Sequence, residues 1–252
     1  MELANRSTLM AGILLEIAAN SIESALAAEA GGADRIELCD NLEQGGTTPS
    51  HGTIAIARER LHIPIHVLIR PRSGDFIYTE AEREVMLYDI EHCLQTGCDG
   101  VVLGALDAEA EVDSTFCRAM RAAAGNMSLS FHRAFDLCAA PERSLEEIIS
   151  LGFERILSSG LADSAPLGNA QLASLVRQAN QRLSIMAGAG IRPENLAVLV
   201  AASGVTEVHA SASGVHFGTL HHKRKLHGLA ADFLETQTEL VRELRQVLDQ
   251  LA

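Results

Sequence analysis

The chain has 252 residues, 47% of them hydrophobic, and a formal net charge of -13 at pH 7. An acidic chain repels phosphate backbones and anionic headgroups, so neither nucleic acid nor a membrane surface is expected as a partner. The length suits one large hydrophobic core. We therefore predict a single domain over residues 1–252, in which residues 1–12 form a short leader.

Apolar strand-like segments recur along the chain, and several follow a helix-like stretch that ends at a glycine. The pattern is seen in AGGADRIELC, TGCDGVVLG, LGFERILSS and ASGVTEVHA. Glycine adopts the left-handed conformation that ends a helix, and a short loop then returns the chain to the sheet. The predicted strands are 13–18, 35–39, 63–70, 100–106, 128–132, 155–158, 183–187 and 207–211.

Helical patterns fill the gaps between these strands. A helix is predicted to start after Asn20 or Ser21, Pro193 suits a first helical turn, and residues 232–252 form an amphipathic closing helix. The repeat predicts an α/β fold, a single (β/α)8 TIM barrel. A doubly wound open sheet uses the same alternation, but no G-x-G-x-x-G motif follows the first strand, which favours a closed barrel.

Charged and polar side chains inside these strands share one parity, whereas the alternating parity is apolar. Buried parallel strands are normally apolar on both faces, so these exceptions carry the information about function. Since the helices must cover the apolar parity, the polar side chains should point into the barrel and towards its carboxyl-terminal mouth. The residues are Glu16, Glu37, His66, Arg70, His132 and His209.

Three interpretations of this cluster remain open from the residues alone. The side chains could form a buried ion network that fixes strand register. They could coordinate a divalent metal ion, since carboxylates and imidazoles suit borderline metals. Without a metal, Glu37 or Glu16 would act as general base and His66 or His132 as acid, while Arg70 holds an anionic group.

Loops that follow the strands add candidates for anion binding. Arg72 follows Arg70 in IRPRSGDF, and two guanidiniums can bind phosphate or carboxylate, although ion pairing with Asp75 is the alternative. Gly188 and Gly190 lie after the seventh strand, where backbone N–H groups of barrels often bind phosphate. After the eighth strand, His209 and Ser211 in HASAS are further substrate-binding candidates.

The five cysteines contain no C-x-x-C pair, which predicts reduced thiols and a cytoplasmic protein. No apolar run approaches the length that spans a bilayer. A loop is predicted over residues 213–231, which include His221, His222, His227 and the basic run 223–225.

Seven segments resemble the CutC copper-homeostasis family, in order and over nearly the whole barrel. They are ELCDNLEQGGTTPSHG (37–52), IRPRSGDFIYTEAE (69–82), DGVVLGAL (99–106), FHRAFD (131–136), RILSSG (155–160), IMAGAGI (185–191) and EVHASA (207–212). The resemblance implies a cytosolic barrel that forms homo-oligomers, has a role in copper handling and binds a copper ion.

The resemblance also implies where copper would bind. Relatives that bind Cu(I) are thought to use thiolates at the ends of the first two strands. The second position is Cys39 here, but the first is Ala18. Cys39 is then one metal ligand, helped by an imidazole or another subunit, or else a small buried residue. Two hypotheses follow: a copper-binding homeostasis protein, and a barrel enzyme that performs acid–base chemistry on a small anionic ligand such as a phosphorylated carbohydrate.

Overall fold

A computed structural model describes residues 12–220 and 230–251 of the chain. Eight parallel strands form a closed barrel in chain order, so the predicted fold class is confirmed. The strands are β1 (Leu14–Ala19), β2 (Arg35–Leu38), β3 (Ile65–Leu68), β4 (Gly100–Leu103), β5 (Ser128–Phe131), β6 (Arg155–Ser158), β7 (Ser184–Gly188) and β8 (Glu207–Ala210). Pairing of β1 with β8 closes the barrel.

Eight α-helices of the described part of the chain surround the barrel. They are α1 (Ile22–Gly31), α2 (His51–Arg60), α3 (Glu80–Thr96), α4 (Ser114–Ala124), α5 (Pro141–Ser150), α6 (Asn169–Ala179), α7 (Pro193–Ser203) and α8 (Thr238–Asp249). The predicted caps are observed: the Ser21 side chain accepts the N–H of Ser24, and Pro193 is the first residue of α7. Among the described residues, no helix is long and apolar enough to cross a bilayer.

The structure differs from the prediction near the C-terminus. An antiparallel hairpin, β9 (Ser213–His216) with β10 (Phe233–Thr236), follows β8, and the closing helix begins only at Thr238. The hairpin is anchored on α1, because the Thr236 backbone N–H donates to Oγ of Ser24 at 3.0 Å. The amphipathic pattern from residue 232 therefore contains a strand before its helix. The three histidines and the basic run of residues 221–229, and residues 1–11 of the predicted leader, lie outside the described residues.

The two parities of the strands face different surroundings. Leu15, Ile17 and Ile36 belong to the apolar layer between strands and helices. Side chains of the opposite parity point into the barrel. At one such position β4 has a glycine, which lies against the imidazole of a residue on the neighbouring strand. A Cβ on Gly100 would lie 2.6 Å from Nε2 of His66. Glycine at this position therefore makes room for His66 inside the barrel.

An ion network fills the amino-terminal half of the barrel interior. Arg35 donates from Nε to Glu16 and from Nη2 to Glu207, the latter at 2.7 Å. Arg155 also donates to Glu207, at 3.2 Å, and Nδ1 of His209 lies 2.8 Å from Glu16. The network joins side chains of β1, β2, β6 and β8. It corresponds to the buried ion network that was one of the three interpretations of the sequence.

We predict that Arg35→Met strongly destabilises the fold. Glu16 is fully buried, and removal of one partner leaves a buried charge without compensation, which costs about 3–5 kcal/mol. The free energy of unfolding in urea at neutral pH measures this effect. Arg182→Met is the control, because the Arg182–Glu146 pair is half-exposed and should contribute little. A loss in Arg35→Met no larger than in this control contradicts the prediction.

Candidate functional site

The carboxyl ends of the strands surround an open cavity of about 810 Å³. Barrel enzymes place their sites at this end, because loops from all eight strands converge there. Apolar side chains such as Leu42 and Leu68 form part of the wall. Six of the residues predicted for the site also line it: Glu37, Arg70, His132, Gly190, His209 and Ser211.

Several predicted residues carry a buried polar atom without a hydrogen-bond partner among the residues that the structure describes. These atoms are Oε2 of Glu37, Nδ1 of His66, Nε of Arg70 and Nε2 of His132. Buried polar atoms in native proteins are nearly always paired, and each unpaired one costs about 1–3 kcal/mol. Their concentration here indicates a site that is completed by a ligand or by water.

Glu16 and Glu37 are both buried, but their pKa values are shifted in opposite directions. Burial alone would raise the pKa of Glu16, but Arg35 and His209 hold that pKa well below its usual range. Burial raises the pKa of Glu37 to about 7, and the negative charge of Glu16 adds to this rise, although His209 opposes it. Glu16 is therefore a fixed carboxylate, whereas Glu37 can gain and lose a proton near neutral pH.

His209 bridges the two carboxylates. Its Nδ1 lies 2.8 Å from Oε1 of Glu16 and 3.8 Å from Oε2 of Glu37. Burial disfavours a charged imidazole, yet the two carboxylates raise the pKa of His209 overall. These three side chains each offer a ligand atom within 4.8 Å of the others, the one such group of metal-ligating residues among those described. They form either a proton-sharing triad or a divalent-metal site.

His66 and His132 are neutral imidazoles. Burial lowers the pKa of each to about 3, and the positive charge of Arg70 contributes to the shift at His132. Neither ring can then serve as a charged general acid at neutral pH. Nδ1 of His132 accepts the backbone N–H of Ala134 at 3.2 Å, and His66 lies deeper, inside the barrel next to Gly100.

Arg70 brings a positive charge to the mouth without a carboxylate partner. Its terminal nitrogens donate to the carbonyls of Gln44, Gly46 and Gly74, with the Gly46 contact at 2.8 Å. No described carboxylate lies within salt-bridge distance, and the guanidinium sits over the ring of Phe76, 5.0 Å from its centroid. The three carbonyls fix the orientation of the charge and leave Nε–H free.

Arg72 has a different environment from Arg70. It pairs with Glu82 at 2.6 Å and with Asp75 at 3.0 Å, and it is not one of the residues that line the cavity. The structure therefore shows the ion pairing that was the alternative to anion binding. Of the two predicted guanidiniums, only that of Arg70 faces the mouth.

Gly188, the last residue of β7, and Gly190, in the loop that follows, have separate roles. A Cβ on Gly188 would lie 2.5 Å from Leu157, so this glycine allows the strand to pack against β6. Gly190 lines the cavity. Its φ of +72° is a backbone conformation that residues with L side chains rarely adopt. Ser211, also in the wall, shares a hydrogen bond of 3.1 Å with Ser213.

Cys39 lies in a small apolar cluster with Ala18, Leu68 and Val102. Its thiol is buried and lies 3.7 Å from the Ala19 carbonyl. Burial, followed by the charge of Glu37, raises the pKa of this thiol well above its usual range. A protonated thiol in apolar surroundings is a poor metal ligand.

Sequence reasoning missed three interior residues. Arg35, Arg155 and Glu207 are the first residues of their strands and carry most of the ion network. A signal was present, since Arg35 has the parity of Glu37 and Glu207 has that of His209. Phe76, which contacts both Arg70 and His132 in the mouth, was also missed, because it lies in a loop without periodicity.

Comparison with known proteins relates the chain to a protein family. The model of the CutC family matches residues 13–214. A family protein CutC from Chromobacterium violaceum is 50% identical over 242 residues, which are 94% of this chain and 98% of the relative. One from Xanthomonas campestris pv. campestris is 51% identical over 235 residues, with 93% and 98% covered. These names give a family and no activity.

Solved structures resemble the chain either in both sequence and fold or in fold alone. A CutC protein from Streptococcus agalactiae, whose name assigns it to copper homeostasis, matches with a TM-score of 0.76 at 34% identity, over 79% of this chain and 98% of that one. Thiamine phosphate pyrophosphorylase from Pyrococcus furiosus matches with a TM-score of 0.60 at 15% identity, over 95% and 96% of the chains. The second likeness shows a shared barrel fold.

We predict that Glu37 titrates near pH 7. Its carboxyl should take up a proton as the pH falls through this value, because burial and Glu16 both disfavour its charged form. NMR of protein labelled at the glutamate carboxyl carbons measures the midpoint, and Glu37→Gln identifies the signal. A midpoint near the ordinary value of 4.5 contradicts the prediction.

Proposed function

The chain belongs to the CutC family, and from the geometry of its site we propose that it is a cytosolic barrel enzyme that performs acid–base chemistry on a small anionic substrate. The observation that carries the proposal is Oε2 of Glu37, a buried carboxylate oxygen without a partner among the described residues, in a carboxyl that titrates near neutral pH beside a cavity. A cytosolic location is supported by the five cysteines, which are all free and buried.

The acid–base roles follow from the protonation states. Glu37 is the proton acceptor, since a group whose pKa lies near the working pH transfers protons most effectively. Glu16 is held in its charged form by Arg35 and stabilises the proton on His209. His209, rather than His66 or His132, carries a proton near Glu37, and at 3.8 Å the two groups exchange it through one bridging water.

The anionic character of the substrate follows from Arg70. A buried guanidinium without a carboxylate partner is unfavourable unless an anion arrives from solution. Phosphate or carboxylate groups complement guanidinium donors. Gly190 and Ser211 in the opposite wall leave room for such a group close to the backbone of the last two loops.

We predict that Arg70→Met weakens binding of glycerol phosphate by about 10-fold to 100-fold. Loss of a charge-assisted contact costs about 1.5–3 kcal/mol. Isothermal titration calorimetry measures the affinity. Arg72→Met is the matched control, because it removes an arginine two residues away that is paired with Glu82 and Asp75. Its affinity should stay near that of the wild type.

Two results would overturn the anionic-substrate proposal. One is equal affinity for glycerol phosphate in wild type and Arg70→Met. The other is the absence of binding of both glycerol phosphate and inorganic phosphate to the wild-type protein at concentrations well above those of cellular metabolites. Thermal unfolding of Arg70→Met is needed beside these titrations, since Arg70 also binds the carbonyls of Gln44, Gly46 and Gly74.

Copper binding is the second candidate, because the Streptococcus relative is named for copper homeostasis. The residues do not fit a Cu(I) site made of two thiolates: Cys39 has a protonated thiol, and Ala18 takes the position of the second. Glu16, Glu37 and His209 instead offer an oxygen and nitrogen set, which suits divalent copper or another borderline divalent ion. Arg35 and the proton on His209 oppose a cation there.

Copper binding at this triad predicts that Cu(II) binds one site, that Cys39→Ser leaves it unchanged, and that His209→Gln abolishes it. Affinity should fall as the pH decreases, because His209 must lose its proton before its nitrogen can coordinate. Titration of the reduced protein with Cu(II), and with Cu(I) against a competing chelator, measures both ions. Tight Cu(I) binding that is lost in Cys39→Ser would show a thiolate site and contradict the triad.

A further inference from the structure

Two N–H groups at the mouth are buried and have no acceptor among the described residues. They are Nε of Arg70 and Nε2 of His132, and each side chain is about 5% exposed. Phe76 packs against both side chains: the Arg70 guanidinium is 5.0 Å from its ring centroid, and the imidazole is 4.7 Å from it. Two residues that line the cavity therefore each carry a buried donor without a partner among the described residues.

The position of the proton on His132 follows from its other nitrogen. Nδ1 accepts the Ala134 backbone N–H at 3.2 Å, so a neutral ring carries its hydrogen on Nε2. The ring is also held in place. A Cβ on Gly104 would lie 2.9 Å from it, and Phe131 packs against it edge-on at 6.0 Å. His132 is thus a fixed hydrogen-bond donor, and burial keeps it neutral.

A donor of this kind suits an oxygen that gains charge during a reaction. A neutral imidazole can hydrogen-bond a carbonyl oxygen and stabilise the enolate that forms from it. Phosphate alone would leave this arrangement unexplained, since a phosphate site needs neither a neutral imidazole donor nor an unpaired carboxylate oxygen in the same cavity. Glu37 lines the same cavity and offers the unpaired oxygen that such a reaction requires.

We infer that the substrate is a small anionic carbonyl compound, and that the enzyme removes a proton from the carbon next to the carbonyl. Oε2 of Glu37 takes the proton, and the electrons of the broken C–H bond form a C=C bond. The carbonyl π electrons move to the oxygen, which accepts hydrogen bonds from Nε2 of His132 and Nε of Arg70. This inference rests on the proposed function, in which Glu37 is the base.

Hydrogen–deuterium exchange tests the step. In deuterium oxide, the wild-type protein should replace the C–H hydrogens next to the carbonyl of dihydroxyacetone phosphate, as followed by proton NMR. Glu37→Gln should abolish the exchange. His132→Phe should slow it by about 100-fold to 1000-fold, as expected for loss of an oxyanion donor. His132→Gln keeps an N–H group near Nε2 and should recover much of the rate.

A measurement on the wild-type protein avoids reliance on variants that fail to fold. Phosphoglycolohydroxamate resembles the enediolate of dihydroxyacetone phosphate. On its binding, the Nε2–H proton signal of His132 should move downfield, with Nδ1 unprotonated throughout the neutral pH range. A signal that does not move, or an exchange rate in folded His132→Phe equal to that of wild type, overturns the role of His132.

The outcomes separate this inference from the proposed function. Glycerol phosphate has the same anionic group as dihydroxyacetone phosphate but a hydroxyl in place of the carbonyl. If glycerol phosphate binds and neither dihydroxyacetone phosphate nor pyruvate exchanges its hydrogens, the carbonyl inference fails and the anion site remains. If neither phosphate ester binds, the proposed function fails together with the inference.

Discussion

The contact between Arg35 and Glu16 determines the properties of the barrel interior. Two carboxylates, Glu16 and Glu37, lie close together where water is scarce, and both cannot be charged without compensation. The positive charge of Arg35 keeps Glu16 negatively charged. Arg35 also pairs with Glu207, which pairs in turn with Arg155, so the ion pairs extend across the barrel. Glu37 is left with a pKa near 7. Its own burial is the largest cause of this rise, and the charge of Glu16 adds to it. The contact between Arg35 and Glu16, outside the cavity wall, thus contributes to the protonation of a residue that lines the cavity.

The interior is accordingly divided along the barrel axis. Towards the amino-terminal ends of the strands, Arg35 and Arg155 pair with carboxylates, and Arg155 also contacts Ser128 at 2.9 Å. Towards the carboxyl ends, polar atoms of Glu37, Arg70 and His132 remain unpaired. The paired half fixes strand register and stabilises the fold. The unpaired half carries an energetic cost that a bound ligand would remove.

The sequence predicted the features that depend on periodicity and strand parity, but it did not predict those that depend on loop conformation. The eight strands and the inward direction of Glu16 and Glu37 follow from alternation with apolar neighbours. Which arginine faces the mouth depends on Gln44, Gly46 and Gly74, whose carbonyls orient Arg70 and lie in loops without a periodic pattern. Parity also cannot tell which carboxylate stays charged, because that depends on the reach of Arg35 across two strands. The hairpin was missed since its strands pair across a long connection.

The chemistry of the unpaired atoms bears on the choice between metal and substrate. A metal ion needs lone pairs, whereas the mouth mainly offers N–H groups. The lone pair of His132 on Nδ1 is used by the Ala134 N–H, so the atom left free is a donor, and Arg70 can only donate. Glu37 carries the one buried, unpaired acceptor among the described residues that line the cavity with these donors. Donors on one side and a single proton acceptor on another complement a molecule that has an oxygen and an acidic hydrogen. A bare cation would complement only the acceptor, and the charge of Arg70 would repel it.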